Sequence, residues 1–221
     1  CRLLLGVTEQ WPGEGGEDRF IEQQTVYVSD DDGHQWHGPS IVPNPETPTV
    51  TGLPWRLNEG DFVELDNGTI VLYMREDGER LSAFKSLSTD GGLTWSQAMR
   101  TPMPNCVGRP SAGRLRSGEI AITYRLAVGL STSLALYVET PSSAPTAGDP
   151  MARFCVLDND RSVAADSGYS GWAQMADGDL YVVNYITDDA PRAFIRGYRV
   201  GREDWYLFPP GDIVANPPGA R

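Results

Sequence analysis

The sequence predicts an all-β chain of repeated antiparallel sheets, and three observations carry that prediction. A glycine turn recurs three times, each copy running into β-branched and aromatic residues. A second frame, Ser-x-Asp-x-Gly-x-x-Trp, occurs twice and interleaves with the first. Nowhere does an apolar stripe at helical spacing persist over ~10 residues.

The elements follow in order. Arg2-Leu3-Leu4-Leu5 reads as a strand that lacks the turn found ahead of its counterparts. Thr25-Val26-Tyr27-Val28 reads as the next strand and leads into the first frame, Ser29-Asp30-Asp31-Asp32-Gly33-His34-Gln35-Trp36. There the Asp can cap turn amides, the Gly permits the bend, and the Trp can cover the apolar face of the hairpin. Leu65-Asp66-Asn67-Gly68 is the first glycine turn, ahead of Thr69-Ile70-Val71-Leu72-Tyr73. Asn-Gly and Asp-Gly supply the positive φ angles of a tight hairpin. Leu81-Ser82-Ala83-Phe84 then precedes the second frame, Ser88-Thr89-Asp90-Gly91-Gly92-Leu93-Thr94-Trp95, 59 residues after the first.

Leu115-Arg116-Ser117-Gly118 and Met175-Ala176-Asp177-Gly178 repeat the glycine turn, with spacings of 50 and 60 residues. A third frame is expected near residues 138–146, but Val138-Glu139-Thr140-Pro141-Ser142-Ser143 has lost its pattern. A unit of strand, glycine turn, strand, strand, framed turn and strand, recurring every 50–60 residues, is the pattern of a β-propeller blade. The units run over 1–43, 59–104, 109–158 and 168–200 within a single domain, 1–221. A Pro-rich tail from Gly201 is placed against the rim.

Composition narrows the functions. With 18 Lys and Arg against 30 Asp and Glu, the formal charge is −12, which argues against phosphate neutralisation and so against a nucleic-acid partner. No apolar run is long enough to span a membrane as a helix. Two histidines and three cysteines leave little for a Cys/His metal site, so neither metal nor cofactor is expected. Cys106 and Cys155 could pair or could both be inert thiols. The acidic run Ser29–Asp32 lacks the spacing of a twelve-residue calcium loop. His34 and His37 flank Trp36 in that turn and read as surface residues. The compartment stays open, with secretion or a periplasm favoured over the cytoplasm.

The repeated frame resembles the Asp box of the sialidase (neuraminidase) superfamily, and the resemblance covers nearly the whole chain up to Val200. Asn58-Glu59-Gly60-Asp61 through Tyr73-Met74-Arg75 is similar to the sialidase segment that holds the catalytic Glu and one site Arg. Asp166-Ser167-Gly168-Tyr169-Ser170 is similar to the Tyr-Ser motif of the nucleophile. The resemblance implies a six-bladed propeller, of which this chain supplies about four blades and looks N-terminally truncated. It implies an exo-α-sialidase-like, retaining glycoside hydrolase acting on terminal sialic acid or a related sugar. Tyr169 and Glu59 would be the catalytic couple and Arg75 a substrate-binding residue.

Arg109, which opens a blade, and Arg125, at a strand end equivalent to that of Arg75, are further substrate-binding candidates. The family's first carboxylate-binding Arg and its acid/base Asp would lie upstream, so this chain alone is expected to be inactive. Asp18 lies in a suitable loop but is not assigned that role. The third Arg is expected just before Leu134, where the chain reads Ser131-Thr132-Ser133. That departure keeps an alternative open, a sialidase-fold propeller that binds or cleaves a different, possibly neutral, glycan. No obligate protein partner is evident.

Tyrosine suits a substrate with a carboxylate on its anomeric carbon, because a neutral nucleophile avoids like-charge approach, unlike the two-carboxylate glycosidases. A phenol with pKa near ~10 needs a base within hydrogen-bond reach. Arginine presents a planar fork to a carboxylate.

Overall fold

A computed structural model describes residues 1–12, 20–49, 51–52, 54–78, 82–128, 131–148, 152–188 and 190–205. Four antiparallel sheets follow one another along the chain. The first contains β1 (Leu3–Pro12), β2 (Phe20–Ser29) and β3 (His37–Ile41). The second contains β4 (Leu57–Glu64), β5 (Ile70–Glu76), β6 (Ser82–Ser88) and β7 (Met99–Pro104). The third contains β8 (Ser111–Arg114), β9 (Ile120–Val128), β10 (Ser131–Glu139) and β11 (Arg153–Asn159). The fourth contains β12 (Ser167–Gln174), β13 (Leu180–Ile186) and β14 (Phe194–Val200). A single helical turn, α1 (Arg202–Trp205), closes the described chain. The Pro-rich tail beyond it, and Asp18, fall outside the described residues.

The strands alternate apolar residues to both faces, because each inner sheet is covered on both sides. On β5, Ile70, Leu72 and Met74 pack with Val26 of the first sheet and with Val42 just beyond β3, while Val71 and Tyr73 pack with Ile120, Ile122 and Tyr124 of the third. On the far side of the third sheet, Ala121, Leu134 and Leu136 meet Leu180 and Val182. Each fully buried side chain of this size contributes about 1.5–3 kcal/mol, so sheet-on-sheet packing holds the stack together. The outer faces of the end sheets are open: Leu3 and Leu5 on β1, and Tyr181 and Val183 on β13, are exposed.

The repeated turns form as local chemistry requires. In each glycine turn the glycine amide bonds back to the first residue's carbonyl, as Gly68 N to Leu65 O at 2.9 Å. Only the glycine takes positive φ, 79°, 91° and 105° in the three copies; Asn67 does not. The turns are therefore wider than the two-residue hairpin that Asn-Gly suggests.

The two Ser-x-Asp frames share one hydrogen-bond net. Asp31 accepts from Gln35 N and Asp90 from Thr94 N, while Trp36 and Trp95 donate to Gly33 O and Gly92 O. Asp90 is held down at about 2, chiefly by the Thr94 hydroxyl and amide and by Ser88. Trp95 is buried against Phe62. Trp36 is 39% exposed, so only the second frame's Trp covers an apolar face.

Where the third frame is lost, an ion cluster replaces it. Glu139 pairs with Ile120 on β9, as Ser88 pairs with Ile70 on β5. Lys85, from the neighbouring sheet, reaches both Glu139 oxygens at 3.1 Å, and the Tyr73 hydroxyl donates to Oε1 at 2.5 Å. Lys85 and Glu139 are fully buried. The cysteines are free thiols: Cys106 is buried and Cys155 partly so. Burial pushes Cys106 up to about 12, which makes it an inert group.

Candidate active site

Both frames lie at one end of the sheets, and the candidate site lies at the other. Ile70, beside the framed turn, starts β5; Arg75 stands near its far end. At that far end the first strands of the second and fourth sheets break register in the same way. Asn58 pairs with Arg75 but Asp61 with Tyr73; Gly168 pairs with Tyr185 but Gly171 with Val183. Each β4 and β12 therefore carries one extra residue, a β-bulge, which re-aims the side chain at the break. The re-aimed residues are Glu59 and Tyr169.

Both take left-handed backbone angles, φ 49° for Glu59 and 53° for Tyr169. Such angles cost of order 1–3 kcal/mol each away from glycine, so neighbouring groups must hold them. The Thr8 hydroxyl accepts from Glu59 N at 3.1 Å, and the Gln24 side chain from Gly60 N at 2.9 Å. Ser170, next to Tyr169, bonds the Thr123 hydroxyl at 2.9 Å. The result is a direct contact across 110 residues of chain: the Tyr169 hydroxyl donates to Glu59 Oε1 at 2.5 Å.

Arg75 holds the other Glu59 oxygen. Its Nη1 donates to Glu59 Oε2 at 2.8 Å and its Nη2 to Asp77 Oδ1 at 2.7 Å. Burial alone would lower the Arg75 pKa, but the bonds and charges of Glu59 and Asp77 outweigh it and keep the group firmly cationic. Arg125 stands at the equivalent position of β9, and Tyr185 at that of β13. Its guanidinium lies 5.4 Å from the Tyr169 ring centre and 5.8 Å from that of Tyr185. Arg125 Nη2 also donates to Asp166 at 3.2 Å and to the Tyr185 hydroxyl. Tyr185 in turn donates to Asp166 at 2.7 Å.

Two glycines make room for this arginine. A Cβ on Gly108 would fall 2.8 Å from Arg125 Cβ, and one on Gly168 would fall 2.5 Å from Arg125 Nε. Gly168 also has φ 131°, a second reason for glycine there. Sequence reasoning missed the roles of Gly168, Asp166 and Tyr185. Gly168 and Asp166 sit in the quoted Tyr-Ser motif, but nothing local marks Tyr185.

Burial raises the Tyr169 phenol, and the hydrogen bond and charge of Glu59 raise it further; Arg75 and Arg125 oppose them. Tyr185 is raised to about 12, first by burial and then by Asp166. A phenol that resists ionisation while bonded to a carboxylate can lose its proton to that carboxylate only as it reacts.

Arg109 lies in the corresponding break of the third sheet. Cys106 bridges Leu126 and Ser111 pairs with Thr123, so the chain between Cys106 and Ser111 bulges where β4 and β12 do. Arg109 is exposed there and has no hydrogen bond, ion pair or ring contact among the described residues. Ser131 is 28 residues before Asn159, to whose side chain it donates at 3.1 Å, and it also donates to Asp160 O at 2.8 Å. Among the described residues no group of three or more His, Cys, Asp or Glu could hold a metal ion, and no helix is long and apolar enough to cross a membrane.

This arrangement, four antiparallel sheets with framed turns at one end and a Tyr–Glu pair with arginines at the other, is a sialidase-type β-propeller fold. Residues 21–182 match the BNR repeat-like domain family, and the chain belongs to that family.

Solved structures share the fold. A protein of unknown function from Dyadobacter fermentans is 21% identical, with TM-score 0.71 over 89% of this chain and 49% of that one. The intramolecular trans-sialidase of Ruminococcus gnavus, solved with oseltamivir carboxylate, is 16% identical, with TM-score 0.59 over 94% of this chain and 42% of that one. The NanB sialidase of Streptococcus pneumoniae (K499G mutant) is 15% identical, with TM-score 0.54 over 91% and 33%. The chain thus spans half or less of the length of these structures. None of the curated proteins compared matches it.

Proposed function

We propose that this chain carries the nucleophile and its base in an exo-acting, retaining glycoside hydrolase of sialidase type. The observation that supports this reading is the 2.5 Å bond between Tyr169 and Glu59. Both residues sit on strained bulges, and strain held in place by neighbours concentrates at functional sites. In the reaction, Tyr169 O attacks the anomeric carbon as Glu59 takes its proton, and the bond to the leaving oxygen breaks. Water then cleaves the glycosyl-tyrosine in the reverse sense, and configuration is retained. Arg75, Arg109 and Arg125 are the candidate substrate-binding arginines. The first Arg and the acid/base Asp of the family pattern are not assigned to residues of this chain.

A second reading has one observation in its favour: Ser131 stands where an arginine is expected, and its hydroxyl is spent on Asn159 and Asp160. In that reading the site binds or cleaves a different, possibly neutral, glycan. The test is turnover of aryl α-sialosides and of neutral aryl glycosides by the full-length gene product. The main reading expects sialoside turnover that Tyr169→Phe abolishes. Turnover of neutral glycosides alone supports the second reading, and turnover indifferent to Tyr169 refutes both.

A further inference from the structure

The Arg75 guanidinium is located from two sides. Nη1 is bonded to Glu59 at 2.8 Å and Nη2 to Asp77 at 2.7 Å. Its Nε is buried and has no hydrogen-bond partner among the described residues. The angle at which Arg75 meets Glu59 therefore depends on Asp77. Asp77 is held in turn: its amide donates to the Arg56 carbonyl at 3.1 Å, and Arg56 Nη2 stands 3.8 Å from its Oδ2. The same Nη2 bonds Glu22 of β2 at 2.5 Å. The Glu22 carboxylate also accepts from Asn58 at 2.5 Å and from Gln10 at 3.1 Å. Backbone pairing of Glu22 with Arg56 joins the first sheet to the residue before β4. Charges thus alternate along one line, Glu22, Arg56, Asp77, Arg75, Glu59, and the line ends on the Tyr169 hydroxyl. The Asp77 and Arg75 side chains are 12% and 16% exposed, so water screens them less than it would a surface pair.

We propose that Asp77 and Arg56, which lie outside the motifs quoted above, are positioning residues for the Tyr169–Glu59 couple and act on it through Arg75. Asp77 fixes Arg75 against one Glu59 oxygen, and that turns the other oxygen to the phenol. In the hydrolase reading, on which this rests, the proton passes from Tyr169 to Glu59 only in that orientation. Asp77 also takes up part of the Arg75 charge, so that Arg75 serves as a clamp on the base. Arg56 in turn neutralises part of Asp77, and Glu22 anchors Arg56 to the first sheet. The charges that face the Tyr169 phenol are Glu59 from β4, Arg75 from β5 and Arg125 from β9. The Tyr185 ring stacks on it from β13, and Asp166 stands behind Arg125. Burial and Glu59 hold the phenol's pKa up, while Arg75 and Arg125 pull it down. A change in the Arg75 charge is therefore readable at Tyr169.

The test is the alkaline titration of Tyr169 in the ligand-free full-length gene product, read from its ring carbon by NMR. Asp77→Asn keeps the side-chain shape and removes one negative charge. Arg75 then acts on the phenol undivided, and Tyr169 should titrate lower by roughly 0.5–1 pH unit. Arg56→Gln removes a positive charge behind Asp77 and should move Tyr169 the other way, by less. Arg56→Lys should stay near the wild type, because the charge remains. Asp66→Asn, which breaks an exposed ion pair with Arg114, should move nothing. A merely structural role would loosen the bulge, part Tyr169 from Glu59 and move Asp77→Asn and Arg56→Gln down together. If Arg56→Gln does not fold with Glu22 left buried, Arg56→Gln with Glu22→Gln is read in its place, and the same upward sign is expected. An unmoved Tyr169 in Asp77→Asn or in the Arg56 variant, or a downward movement in both, overturns the proposal. The hydrolase reading fails separately, if the wild type turns over neither aryl α-sialosides nor neutral aryl glycosides, whatever the titration shows.

Discussion

Glu59 and Tyr169 occupy the same position in two different sheets: each is the residue thrown out by a bulge in its sheet's first strand, at φ 49° and 53°, and the two meet at 2.5 Å. Two independent strained positions that converge on one hydrogen bond are expensive unless the bond is used. The first prediction concerns the proton in that bond. Tyr169 is raised above the ordinary 10.0 by burial and then by Glu59. Its neutral form is therefore favoured by folding. That contribution is complete below pH ~10 and is lost as pH rises through the folded value. A ring-carbon NMR titration should show Tyr169 ionising above pH 10 and Tyr185 near 12. Glu59→Gln removes the carboxylate charge, so Tyr169 should titrate lower than in the wild type. An unchanged Tyr169 curve would mean that the pair is not formed in solution.

Gly168→Ala tests how the nucleophile is held. A methyl group there would press on Arg125 Nε and would adopt φ 131°, a region alanine avoids. The expected loss is about 1–3 kcal/mol of stability in a urea titration. The ring stack of Tyr169 on Tyr185, 6.4 Å between centres, should also be disturbed. Gly171→Ala, with open space around it, should do neither.

The buried Lys85–Glu139 pair gives a third prediction. Lys85→Met leaves Glu139 charged and buried with only Tyr73 and Ser143 as donors, and should cost about 3–5 kcal/mol. Replacing both, Lys85→Met with Glu139→Leu, should recover most of that loss, because paired burial is costly for both charges. A double variant as unstable as the single one would mean that Lys85 acts by packing rather than by charge.

How much of this was legible in the sequence depends on the reach of each signal. The glycine turns and the two Ser-x-Asp frames are written in consecutive residues, and they form with the expected hydrogen bonds. Tyr169, Glu59 and Arg75 were reached through motif resemblance, and the structure brings them together. The bulges were not legible, because they arise from pairing between strands rather than from either strand alone. Nor were the contacts that hold Arg75 and Arg125, which come from Asp77, Asp166 and the tyrosine rings. The Lys85–Glu139 cluster had no local signal, since its partners are 54 residues apart. Trp36 shows the reverse error: its frame matches Trp95's, yet it stays exposed, on an end sheet whose outer face is open.

In the proposed reaction Tyr169 forms the bond to the sugar. The most direct measurement is peptide mass spectrometry of the full-length gene product after incubation with a 2,3-difluoro sialic acid, whose second fluorine slows release of the intermediate. One glycosyl group is expected on the peptide that contains Tyr169, absent in Tyr169→Phe and slower to form in Glu59→Gln. Loss of the nucleophile should lower turnover by several powers of ten, at least ~4 kcal/mol of barrier, with the melting temperature almost unmoved. An adduct on another residue, or none while the protein still cleaves sialosides with retention, would contradict the proposed reaction.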